Sequence, residues 1–127
     1  MQDRSQVEQL VKELHASRIA GDLERLCRLF ATDARLRIAG SSDGKPIAID
    51  ASRIARIRPW LSILVKTFRL SKYQLLSVTI EGTRATAHWR VDIESKITGI
   101  VVPTELVDLI EVHDGKIASQ IEFFVPS

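Results

Sequence analysis

Cysteine is nearly absent: Cys27 is the only one in 127 residues, so the chain can close no disulfide on itself and build no cysteine-rich metal cage. Long apolar runs are missing too, which excludes a transmembrane helix. The opening Met1-Gln2-Asp3-Arg4-Ser5 is polar and leads straight into an amphipathic pattern, so a signal peptide is not expected and the cytoplasm is the default. A strong charge of either sign is also lacking, because a net +2 is too little to call for nucleic acid. No Walker loop, dinucleotide fingerprint or Ser-His-Asp order occurs, and no His/Asp/Glu spacing suggests a metal. Neither a cofactor nor a membrane partner is implied.

What is present suits one globular domain spanning 1–127. The chain is 45% hydrophobic and 27% charged, ordinary for a packed protein and wrong for a disordered one. A chain of this length buries about two-thirds of its surface, enough for a core without staples. The charge is unevenly spread. From Lys45 to Lys72 there are seven basic residues and one acid; from His88 to the end there are seven acids and three bases. That asymmetry either steers an anionic partner or solvates a helix face.

Ser5-Gln6-Val7-Glu8 has the form of a capping box, followed by Val7, Leu10, Val11 and Leu14 at helical spacing. Gly21 punctuates that helix and Asp22 can cap the next, which carries Leu23, Leu26, Cys27 and Phe30. Cys27 sits on a core stripe without a basic neighbour on its face, so it reads as inert. Leu36 and Ile38 alternate with arginines as a short strand, and residues 40–46 have loop chemistry. A third helical stripe runs through Ile54, Ile57, Leu61, Leu64, Val65 and Phe68, where Pro59 either marks a start near Arg58 or kinks the helix. From Lys72 onward the period becomes two, giving strands over Gln74–Glu81, Ala85–Glu94, Ile100–His113 and Lys116–Val125. Glu81-Gly82-Thr83 and His113-Asp114-Gly115-Lys116 supply hairpin turns. Helices first and an antiparallel run afterwards define an α+β layer.

The same order, with Ala20-Gly21-Asp22-Leu23-Glu24, Leu29-Phe30-Ala31-Thr32-Asp33-Ala34 and Asp114-Gly115-Lys116-Ile117, resembles the SnoaL-like and ketosteroid-isomerase-like proteins of the nuclear transport factor 2 superfamily. The resemblance covers nearly the whole chain. It implies a cystatin-like, cone-shaped bent antiparallel sheet wrapped around three N-terminal helices, with a small hydrophobic molecule in the open end and a homodimer built on the sheet. Function varies across such a superfamily, so the site has to be argued from its residues.

Steroid isomerases of that superfamily carry a tyrosine where this chain has Leu14 and a general base where it has Ile38, while their third acid corresponds to Asp108. Two of the three groups are replaced, so steroid isomerisation is not implied. Limonene-type epoxide hydrolases resemble the chain at Arg90-Val91-Asp92 and at Glu122, six residues after Lys116. In that arrangement one protonated carboxyl serves the epoxide oxygen, an ionised one activates water, and the arginine between them sets which keeps the proton. Their tyrosine and asparagine fall near Leu36 and Ile38, both apolar here.

Taken on its own, the trio Arg90, Asp92 and Glu122 is either that site or a cross-strand ion pair. Alternation puts Thr86, His88, Arg90 and Asp92 on one strand face and Ala85, Ala87, Trp89 and Val91 on the other. The resemblance turns the first set towards the cone, whereas apolarity would bury the second. Asp108 shares an apolar stripe with Leu106, Ile110 and Val112, which makes it a functional acid or the buried partner of a histidine, arginine or helix amide. His88 is a proton shuttle or a structural group; His15 and His113 look solvent-facing. Gln120 and Phe124 share the Glu122 face and would line the cone's mouth, with Leu14 and Ile38 as apolar wall. Trp60 and Phe68 read as core.

The expected protein therefore either holds a small hydrophobic molecule in the cone, as a binding protein or as a cofactor-independent acid/base enzyme using Asp108, Glu122, Arg90 and Asp92, or is a non-catalytic module that uses the basic 45–72 segment and fills the cone with its own side chains.

Overall fold

The computed structural model describes residues 4–42 and 44–126. Three helices, α1 (Arg4–Ala20), α2 (Leu23–Arg28) and α3 (Ile54–Thr67), alternate with six strands: β1 (Phe30–Ser42), β2 (Lys45–Ser52), β3 (Phe68–Glu81), β4 (Arg84–Ser95), β5 (Val101–His113) and β6 (Lys116–Pro126). The strands form one sheet in the order β2-β1-β6-β5-β4-β3. β2 and β3 are its free edges, so the sheet is curved but does not close. All neighbours are antiparallel except β1 and β6, which run parallel. The expected antiparallel sheet is thus a mixed one with a single parallel seam.

Local chemistry explains the element ends. α1 stops at Gly21, whose φ of 68° lets its N–H reach the Arg18 carbonyl while the Asp22 N–H reaches that of Ser17. Asp22 then caps α2 by accepting from the Arg25 backbone N–H at 3.1 Å. Asp114 and Gly115 both take positive φ, 51° and 74°, which suits the tight β5–β6 hairpin.

Several elements depart from the periodicity reading. The expected short strand around Leu36 and Ile38 is 13 residues long and takes in Gly40–Ser42 of the expected 40–46 loop, while Lys45–Ser52 folds back as β2. α3 begins at Ile54, not near Arg58, and carries Pro59 as its sixth residue.

The core lies between the helices and the concave sheet face. Val7, Val11, Leu14, Leu26, Leu36 and Ile57 are almost fully buried there. A second, smaller cluster joins Leu70, Trp89, Val91 and Leu106, with Tyr73 and Phe124 packed against it. Of the two alternating faces of β4, the apolar one is buried: Ala87, Trp89 and Val91 are fully enclosed, and Thr86 and Arg90 are exposed. Hydrophobic burial therefore decides the orientation that the sequence left open.

Candidate functional site

The polar centre of the molecule is built on inward positions of four strands and one helix turn. Asp108 on β5, Gln120 and Glu122 on β6, and Trp89 on β4 all alternate with outward residues and point into the concave face. His15 and Arg18 lie three residues apart on α1, so one helix face presents both. Register brings the strand residues together: Asp108 sits directly across from Glu122, with Ile110 and Gln120 on the rung below and Leu106 and Phe124 on the rung above.

Asp108 is fully buried and accepts three hydrogen bonds. His15 Nε2 donates to Oδ2 at 2.8 Å, the Trp89 indole N–H donates to the same oxygen at 2.9 Å, and the Gln120 amide donates to Oδ1 at 3.2 Å. With Nε2 carrying that proton, His15 Nδ1 accepts from the Tyr73 hydroxyl at 2.7 Å. Tyr73, His15 and Asp108 thus form a directional chain running from a half-buried hydroxyl to a buried carboxylate. The rings lock it in place: His15 stacks against Trp89 with centroids 4.4 Å apart and meets Tyr73 edge-on at 5.5 Å.

Glu122 forms an ion pair with Arg18, both side chains being almost wholly removed from solvent. The Arg18 guanidinium also lies 5.7 Å from the centre of the Trp89 ring. Burial pushes the Glu122 carboxyl up to about 7; Arg18 opposes this, and the negative charge of Asp108 across the rung adds to it. Tyr73 is likewise raised, by burial first and by Asp108 second. The centre therefore holds one carboxyl that exchanges a proton near neutrality and one hydroxyl that keeps its own.

The remaining candidates lie elsewhere. Arg90 is exposed on the convex face, and Asp92 beside it faces Lys72 at 3.8 Å. The structure does not bring Arg90 and Asp92 to Glu122, whose cation is Arg18. His88 is on the same convex face, 2.5 Å from Glu105. Leu14 and Ile38 are core residues, 1% and 4% exposed, so they fill volume where polar groups were sought. Gln120 points inward, but to Asp108. His15, expected at the surface, is 1% exposed.

The basic 45–72 segment is dispersed over β2, α3 and β3, and Arg58, Arg69 and Lys72 are each paired with an acid. Trp60 is partly exposed, at 39%, against the expectation of a core residue. It lines a surface depression of about 490 Å³ with Arg53 and Arg56, outside the cone. Cys27 is buried as expected, although Arg58 comes beside it, and burial holds its thiol above the ordinary range. Among the described residues no group of three His, Cys, Asp or Glu side chains is placed to hold a metal.

His15, Arg18, Tyr73 and Trp89 were missed as site residues. A signal for two of them exists: Val11 and Leu14 continued by one helical turn reach His15 and Arg18. A cation and an imidazole extending an apolar stripe are candidates for burial with partners.

A bent, open sheet around three helices is the fold of the nuclear transport factor 2-like class. The chain belongs within it to the SnoaL-like domain family, which matches residues 7–120. Among solved structures it is similar to a Bacillus subtilis protein provisionally assigned as an isomerase, at 18% identity and a TM-score of 0.82, covering 98% of this chain and 89% of that one. A nuclear transport factor 2-like protein from Burkholderia xenovorans is 20% identical with a TM-score of 0.77, covering 96% and 91%. An epoxide hydrolase of the limonene type from M. tuberculosis is 12% identical with a TM-score of 0.73, covering 94% and 83%. No curated protein matches. At these identities the likeness shows the fold.

Proposed function

We propose that this protein is a cofactor-independent acid/base enzyme acting on a small hydrophobic molecule held in the wider end of the cone, as an isomerase, hydrolase, dehydratase or cyclase. The single observation that carries this is the pairing of Tyr73–His15–Asp108 with Glu122–Arg18. Two titratable groups, whose environments give one a proton affinity near neutrality and leave the other a donor, are what general acid/base chemistry needs. Glu122 takes or returns the proton. The Tyr73 hydroxyl, whose proton rests on His15 Nδ1, turns that proton to oxygen as negative charge develops there. Asp108 acts through His15, fixing its ring and tautomer, and is a positioning residue.

The Arg90 and Asp92 arrangement has no part in this scheme, so epoxide opening, if it is the reaction, would run through Glu122 and Tyr73. A homodimer on the convex face belongs to the same reading, supported by partly exposed Leu109, Phe123 and Val125 there. No described helix is long and apolar enough to cross a membrane.

A panel of small epoxides, enones and β-hydroxy ketones tests the scheme. Turnover of one member should fall at least 100-fold in Glu122→Gln and in Tyr73→Phe while circular dichroism is unchanged. Turnover untouched by both substitutions overturns it.

A further inference from the structure

Gly40 is the one glycine whose place is crowded. A Cβ there would stand 2.5 Å from the Phe124 carbonyl oxygen and 2.6 Å from two atoms of the Phe124 ring. Gly40 pairs with Phe124 across the parallel seam, and the neighbouring rung pairs Ile38 with Glu122. Along β1 the side chains of Leu36 and Ile38 point into the cone, so the direction left empty at residue 40 points inward as well. The Phe124 ring fills it. That ring is half-buried, packs against both core clusters, and lies one rung nearer the mouth than the Glu122–Asp108 pair.

We propose that the Phe124 ring occupies the ring compartment of this protein's ligand and must swing out for the ligand to enter. The compartment is one flat ring in size, walled by Leu106 and by the bare backbone of Gly40. Its inner end meets Glu122. The ligand class is therefore a compact planar ring bearing one hydroxyl or carbonyl group directed at Glu122, for which p-cresol is a minimal probe. The polar end of this assignment rests on the acid/base reading above; the ring compartment itself does not.

Because the ring and the ligand compete for one space, the apparent affinity is reduced by the fraction of molecules with Phe124 swung out. Binding of p-cresol and of toluene is followed by stopped-flow tryptophan fluorescence in the wild type, in Phe124→Ala and in Glu122→Gln. The wild type should bind p-cresol with an observed rate that levels off with concentration. Phe124→Ala should bind at least tenfold tighter, with a rate linear in concentration. Phe124→Leu, nearly isosteric, provides the same comparison with a smaller gain if the alanine variant does not fold.

Equal affinities and linear rates in wild type and variants overturn the gate. Binding by Phe124→Ala alone overturns it too, since a hole cut in an apolar core accepts benzene-sized guests without any natural role. Absence of binding in all forms overturns the ligand class. Gated binding with toluene as tight as p-cresol, unaffected by Glu122→Gln, upholds the compartment and refutes the acid/base reading.

Discussion

Glu122 should leave a signature on stability that is opposite in sign to that of most carboxylates. An ordinary paired acid has a depressed value when folded and protects the native state at high pH. Glu122 is raised to about 7 from an ordinary 4.5, so between those values the native state holds a proton that the unfolded chain has released. Native stability then falls as pH rises through this window. A shift of this size corresponds to about 3 kcal/mol, at 1.36 kcal/mol per unit, present in full below about 4.5 and lost above about 7. Glu122→Gln keeps the shape and removes the titration, leaving Arg18 with a neutral partner at every pH. Urea denaturation of both proteins at intervals from pH 4.5 to 8.5 reads the difference directly. Wild-type stability relative to Glu122→Gln should decline by roughly 3 kcal/mol across the range. Parallel curves would refute the reasoning, for they would mean that Glu122 titrates alike in the folded and unfolded chain.

Asp108→Ala strips three buried donors of their acceptor and should cost about 3–5 kcal/mol, seen as a lowered urea midpoint. Gly40→Ala drives a Cβ into backbone and ring at once, and should lose about 1–3 kcal/mol in the same assay. Arg90→Ala, on the exposed convex face, should change stability by less than about 0.5 kcal/mol; a larger loss would return Arg90 to the interior.

The parts of the fold that follow from local rules were legible. The helical stripes, β4, β5 and β6, the turn at Gly82 and the Asp114-Gly115 hairpin appear close to where period and turn chemistry put them, whereas Phe68, given to the third helical stripe, opens β3 well before the expected Gln74. β2 was not, because Lys45–Ser52 is an edge strand with little burial, and only Ala51 of its residues is buried. A strand with few buried residues shows little alternation. β1 was seen as too short for a related reason: the β6 seam and the β2 hairpin both hold it extended, through backbone bonds that leave no mark on side-chain pattern.

The site divides the same way. Sequence alone determined that Asp108 stands on an apolar strand face and requires a donor, and that Glu122 shares its face with Gln120 and Phe124, since period two fixes facing and burial fixes the need. It could not determine which donor. His15 lies 93 residues from Asp108 along the chain and Arg18 lies 104 from Glu122, and such pairings depend on how a helix seats across a bent sheet. Tertiary structure alone decided that Arg18, and not Arg90, faces Glu122. The reason is energetic: burying Trp89 and Val91 turns their side of β4 inward, and the period of two then sends Arg90 to water.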